Sequence, residues 1–221
     1  PPDISRTGFH VGTSGYYFDD WVGRFNPPRA TKRQHSEMTA GQREDQDRLR
    51  FYQRYFSFVE INNTFYREPD IANFLDIERR SKPSMKYAVK VHRNISHTKT
   101  WDTEIGERMM QDHIPAISPL VETGRFFSFL IQLEDRVVRS RKRLEYLLHV
   151  ADVAVRSKID IHIEFRHISW HEMHPLQALK DAGIGICNTE IPPIRHAFPL
   201  KTYATTDKGY VRYSGRNLDH W

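Results

Sequence analysis

The stretch Ile159–Trp170, reading Ile-Asp-Ile-His-Ile-Glu-Phe-Arg-His-Ile-Ser-Trp, leaves the chain few folds to choose from. In an extended backbone successive side chains point to opposite faces. Ile159, Ile161, Ile163 and Phe165 therefore share one face, and Asp160, His162, Glu164 and Arg166 share the other. A half-exposed strand would turn its polar face to water. This one lies mid-chain among other apolar strand-like segments, so its polar face is expected to point into a shared interior. Burying a carboxylate next to a guanidinium is costly unless the two are paired or in use.

The same alternation recurs along the chain. Phe9-His10-Val11 reads as a first strand running into Gly12-Thr13-Ser14-Gly15, whose glycines permit a tight turn and a close backbone approach to a ligand. No Gly-Lys-Ser/Thr follows, so the turn is not a P-loop. Phe58–Thr64 sets Val59 and Ile61 against Glu60, Asn62 and Thr64. Tyr87–Val91 carries Lys90 on its polar side, and Phe127–Leu133 sets Phe127, Phe129 and Ile131 against Ser128, Leu130 and Gln132. Ile184–Cys187 and Tyr210–Gly215 bring the strands to seven, the last with Arg212 and Ser214 inward and Val211 and Tyr213 outward. Helical spacing is read at 49–56, 69–80, 103–121, 140–155 and 175–182, the fourth with the stripe Leu144, Leu147, Leu148, Ala151 and Val155. Residues 29–47 are charged and nearly free of large apolar side chains, which predicts an exposed insertion.

Strands alternating with helices predict an α/β protein with a parallel sheet. Parallel strands are normally apolar on both faces. Here Glu60, Asn62, Lys90, Gln132, Glu164, Arg166 and Arg212 gather near the strands' C-terminal ends. An open doubly wound sheet should not show that on nearly every strand, whereas a closed barrel with a pocket at its C-terminal mouth should. The prediction is a single domain over 1–221, a TIM (β/α)8-like parallel barrel whose eighth strand is missing or irregular. Such barrels typically run to about 250 residues, and this chain has 221.

Composition narrows the setting. Hydrophobic residues at 38% and charged residues at 28% describe a polar globular protein rather than a disordered one. No apolar run approaches the roughly 18 residues of a membrane span, and no charged-then-apolar segment opens the chain. The single Cys187 rules out an intrachain disulfide and favours a reducing, cytoplasmic setting. It ends an apolar run and reads as a small buried hydrophobe. A net charge of +5 leans towards anionic partners, either small molecules or nucleic acid, and the sequence is silent on oligomeric state.

Glu60 and Glu164, on the second and fifth strands, suit proton transfer or glycoside hydrolysis if they face each other across the mouth. Lys90 joins them as a catalytic candidate. The competing structural reading holds both carboxylates in salt bridges to Lys90, Arg166 and Arg212. Lys90, Arg166, Arg212 and Arg216 could grip a phosphate or carboxylate, with Thr13, Ser14, Asn62 and Gln132 orienting it. Tyr66 and Trp170, with Trp21, sit on loops over the predicted mouth. There they either stack on a sugar or base or pack as lid and core. His97 and His167 are the alternative ligands for a divalent metal, although no His-x-His or Glu-x-x-His spacing fixes them locally. His162 reads as a satisfied interior histidine. Three functions stay open: an acid/base enzyme of hydrolase or lyase type acting on a small anionic, phosphate- or sugar-containing substrate; a metal-dependent nucleic-acid phosphodiesterase resembling endonuclease-IV-like barrels; and a non-catalytic ligand- or protein-binding module.

Several blocks carry a resemblance. Gly12-Thr13-Ser14-Gly15 with Trp21, Val59 to Tyr66, Ala88-Val89-Lys90-Val91 with Ser96-His97, Ile163 to His167 with Ser169-Trp170, and Tyr210-Val211-Arg212 with Gly215-Arg216 resemble the YecE-like family, domain of unknown function 72. The resemblance spans nearly the whole chain in order. It implies a TIM-barrel-like fold with a pocket and no settled reaction. The chain departs from the family's pattern at Glu134-Asp135, where Pro-Pro is usual, at Asn188 to Glu190, where an aspartate is usual, and at Ser214, where a histidine is usual. The family's final asparagine-rich strand is absent too. The missing aspartate and histidine count against a base on the sixth or seventh strand.

Overall fold

A computed structural model describes residues 8–217; the ends of the expected domain, 1–7 and 218–221 with Trp221, lie outside the described residues. The chain forms a seven-stranded parallel sheet in the order β1 (Gly12–Ser14), β2 (Phe58–Ile61), β3 (Lys86–Lys90), β4 (Phe126–Gln132), β5 (Ile161–Glu164), β6 (Gly185–Glu190) and β7 (Tyr210–Tyr213). Each strand lies beside its neighbour in sequence, the order of a (β/α) barrel. The helices are α1 (Lys32–Glu37), α2 (Ala40–Gln46), α3 (Arg48–Tyr52), α4 (Ile71–Arg80), α5 (Arg93–Ser96), α6 (Thr103–Ala116), α7 (Ser118–Glu122), α8 (Arg141–Arg156) and α9 (Met173–Asp181). The connection from β6 to β7, residues 191–209, has no helix. The described residues fall into two compact units. One comprises 8–62, Asp70–Ala88 and Ala116–Phe127; the other comprises Asn63–Pro69, Val89–Pro115 and 128–217.

In the first unit, the first strand starts three residues later than the sequence predicts. β1 is Gly12–Ser14 rather than Phe9–Val11, with Gly12 opposite Phe58 and Ser14 opposite Glu60. The Val11 carbonyl instead accepts from the amides of Ser57 and Phe58, and Phe9 is exposed. Gly12 is required by this pairing, since a Cβ there would meet the Phe58 carbonyl oxygen at 1.7 Å. The charged insertion holds two short helices. Thr31 and Thr39 each close a capping box, with Gln34 and Gln42, so local hydrogen bonds build α1 and α2 with no buried residue. The helical stretch read over 103–121 consists of α6 and α7, with Pro119 in the first turn of α7.

In the second unit, Ser140 caps α8, whose buried face is Leu144, Leu147, Val150, Ala151 and Ala154; Leu148 and Val155 of the expected stripe are only half-buried. The polar face of β5 turns inward, as its alternation predicts, and both His162 and Glu164 are buried. The Nε2–H of His162 donates to the Lys208 carbonyl (3.0 Å), and Nδ1 lies 2.6 Å from the Ser128 hydroxyl. Burial holds the imidazole below its ordinary pKa, so it is a neutral, satisfied interior group. Gly185, its register partner on β6, leaves room for the ring. A Cβ at Gly185 would stand 2.3 Å from His162 Cδ2. Gly185→Ala is therefore expected to destabilise the fold by about 1–3 kcal/mol, read by urea unfolding. An unchanged midpoint would mean that His162 can turn aside freely.

Candidate functional site

One layer above His162, the strand ends of the second unit bring ionic side chains together. Gln132 and Glu164 are register partners on β4 and β5, and this places their side chains on one side at one height. The Glu164 side chain has 0% exposure, and both its oxygens are taken. Oε1 accepts from Arg166 Nε at 2.7 Å, and Oε2 from Arg212 Nη1 at 2.6 Å. The Gln132 amide nitrogen reaches both oxygens at 3.0 Å. On its other side the Gln132 carbonyl accepts from Lys90 Nζ at 2.7 Å. Gln132 thus links an ammonium to a carboxylate with each end of its amide facing the charge it suits.

Lys90 is steered by two neighbours from residues 63–69. Its Nζ lies 4.0 Å from the centre of the Phe65 ring, a cation–π contact, and its carbonyl accepts from the Thr64 hydroxyl at 2.6 Å. The Arg166 carbonyl is held by the Phe198 amide at 2.8 Å, so the helix-free connection after β6 helps to set the arginine's position. Burial pushes the Glu164 carboxyl up. The charges of Arg212 and Arg166, with hydrogen bonds from Gln132 and Arg166, outweigh it and hold the group below its ordinary value. Glu164 is therefore an ionised anchor near neutral pH. In that state it can organise cations or accept a proton, and it has none to give as a general acid.

The remaining predicted residues fall in several places. In the first unit, Glu60 is 2% exposed and accepts from the Ser14 hydroxyl at 2.8 Å; Asn62 donates to the same hydroxyl oxygen at 2.5 Å. Thr13 is turned to the backbone, its hydroxyl donating to the Gly15 carbonyl at 2.6 Å. Trp21 packs among Phe18 and Phe25. Trp170 is a correction to the ligand-stacking reading. It is 0% exposed, stacks on Phe165 at 4.6 Å and donates to the Val137 carbonyl, so no ring face is left for a ligand. Tyr66 is 70% exposed and meets Phe65 edge-on. Arg216 pairs with Glu190 at 2.5 Å on the surface, apart from the buried cluster.

For the metal alternative, His97 bonds to Ser96 and faces Glu134, while His167 bonds to Ser169 and stacks on His196. Among the described residues no group of three or more His, Cys, Asp or Glu side chains could hold a metal ion. Sequence reasoning missed Phe65 as the platform under Lys90, and Glu134 as the neighbour of His97. It also missed Thr189, the register partner of Arg212, whose buried hydroxyl has no hydrogen-bond partner among the described residues. Alternation from Arg212 across the β6–β7 register would have found Thr189. Nothing local marks the other two.

A family model described as a protein of unknown function, DUF72, matches residues 10–221. The chain belongs to the DUF72 family. This is the family, also called YecE-like, that the motifs resemble. A solved DUF72 protein from Thermotoga maritima is 28% identical, with a TM-score of 0.76 over 95% of this chain and 75% of that one. A DUF72 protein from Enterococcus faecalis shares the fold at 23% identity, with a TM-score of 0.70 over 78% of this chain and 65% of that one. No curated protein matches. DUF72 membership thus brings the barrel-like α/β fold and no reaction. Among the described residues of this DUF72 chain, no helix is long and apolar enough to cross a membrane.

The carboxylate at the centre of the cluster makes a stability prediction. Glu164→Gln leaves Arg166 and Arg212 facing a neutral amide, and is expected to cost about 3–5 kcal/mol at pH 7 in urea unfolding. Because its folded-state pKa is depressed, Glu164 contributes fully above its ordinary value of 4.5, and that contribution is lost as the pH falls through the depressed value. The gap between wild type and Glu164→Gln should therefore narrow on acidification below that point. A gap constant down to pH 3 would mean that the charge of Glu164 does not hold the cluster.

Proposed function

We propose that the chain binds a small anionic molecule, phosphate- or sugar-containing, at the C-terminal ends of β3 to β7, and acts on it as an enzyme of hydrolase or lyase type. Lys90, Arg166 and Arg212 would grip the anion. Gln132 would orient it, and Glu164 would hold the arginines in place. The observation that carries this reading is the Glu164 carboxylate, without exposure, between two arginines and the amide that also carries Lys90. Replacing a buried ion pair by apolar side chains is often neutral or stabilising, so a cluster of this kind favours use over stability. The hydroxyl of Thr189 beside Arg212, without a hydrogen-bond partner among the described residues, adds a polar group that a ligand oxygen would satisfy.

Direct binding tests the reading. Inorganic phosphate should bind the wild-type chain with an affinity that Arg212→Met lowers by about ten- to a hundredfold, the roughly 1.5–3 kcal/mol of a charge-assisted hydrogen bond. The same change at the exposed Arg33 should leave affinity unaltered. Titration calorimetry at fixed ionic strength measures both. Equal affinities in wild type and Arg212→Met would remove the proposed site.

A further inference from the structure

His97 follows α5 at the edge of the cation cluster. Its Nδ1 lies 2.8 Å from the Ser96 hydroxyl, and its Nε2 3.7 Å from Glu134 Oε1. The ring packs edge-on against Phe65, centroids 4.8 Å apart, on the same ring whose face carries Lys90 Nζ. One aromatic side chain therefore holds an imidazole and an ammonium side by side. The charged groups acting on His97 are Glu134 from beyond β4, Lys90 from β3, Arg166 from beyond β5 and Arg93 from its own helix. Burial disfavours a proton on the ring most, Glu134 opposes that, and the three cations add to it, with the net direction downwards. The Glu134 carboxyl is itself held below its ordinary value, first by its hydrogen bond from Arg136, so it stays ionised beside the ring.

We infer that an oxyanion seated on Lys90 and Arg166 binds together with a proton taken up by His97. This rests on the pocket proposed above. An anion there offsets the field of the two cations that repel a proton from the imidazole. The Glu134 carboxylate, already 3.7 Å from Nε2, then holds the imidazolium that forms. Linkage makes the effect reciprocal: the anion raises the proton affinity of His97, and a protonated His97 raises the affinity for the anion. The proton comes from solvent and no covalent bond changes. In a catalytic cycle the same proton would sit beside the bound substrate, ready to be given to a leaving oxygen.

Sulfate is the probe, because it takes up no proton of its own near neutral pH. Calorimetric titration of the full chain with sulfate at pH 7, in two buffers of different ionisation enthalpy, should show uptake of up to about one proton per anion bound. Affinity should rise as the pH is lowered to 6. His97→Gln should still bind sulfate, lose the uptake, and bind about tenfold more weakly than wild type at pH 6. Binding without uptake, or uptake that persists in His97→Gln, overturns the inference and leaves the pocket standing. No sulfate binding by the wild type overturns both. Should His97→Gln not fold, the imidazole resonance of His97 in the unmutated chain decides. Its pKa rises on adding sulfate if the inference holds, and an unmoved value overturns it.

Discussion

A carboxylate cut off from water stays ionised only where positive charge and hydrogen-bond donors replace its hydration. Glu164 meets that condition through Arg166, Arg212 and Gln132, and those three residues come from β4, β7 and the segment after β5. The pairing of Gln132 with Glu164 depends on the register of β4 on β5, because a slip of one residue would turn one of the two side chains to the opposite face. Strand register and ion pairing are thus one constraint expressed at two levels. The opposite face obeys it as well: Phe165 and Trp170 stack where Glu164 does not point, and Trp170 is fixed by the Val137 carbonyl.

The interior of the second unit is graded along the strands. Lower down, His162 is neutral, bonded at both nitrogens and accommodated by Gly185. Towards the C-terminal ends stand Gln132, Glu164, Arg212 and Lys90, joined in one chain of hydrogen bonds. Both layers are cut off from water; the lower one is satisfied by neutral hydrogen bonds, and the upper one needs paired charge. Chemistry at such a pocket would begin at the ionic layer.

Period-two alternation made much of this legible. It identified the polar face of β5 that carries His162 and Glu164, the reading of Glu164 as a partner of Arg166 and Arg212, and Arg212 as inward between Val211 and Tyr213, both of which are exposed. It failed where a side chain's fate depends on residues distant in sequence. Trp170 sits at a strand end just as a ligand platform would, and only the parallel face of Phe165 and the Val137 carbonyl draw it into the core. The start of β1 was misread because Phe9 and Val11 have strand propensity, whereas pairing is decided by Gly12, which alone tolerates the approach of the Phe58 carbonyl. In the insertion, most residues over 31–44 are exposed. The paired Thr-x-x-Gln caps that make two helices of it are a local signal that composition alone conceals.

Glu134 brings these strands of reasoning together. It follows the end of β4 by two residues, where the resemblance to the family implies proline, a residue that offers neither a charge nor an amide donor. Here a carboxylate lies 3.7 Å from His97, and Phe65 holds that imidazole beside Lys90. Were the cluster built for stability alone, an acid at this position would bring little, since it is partly exposed and already paired with Arg136. Its consequence is electrostatic: under the proposed anion binding, a partly buried imidazole set among Glu134, Lys90 and Arg166 would have a proton affinity that depends on whether those cations are occupied. That dependence joins the buried pairing of Glu164 to the half-buried edge of the site through charge alone, with no movement of the backbone required.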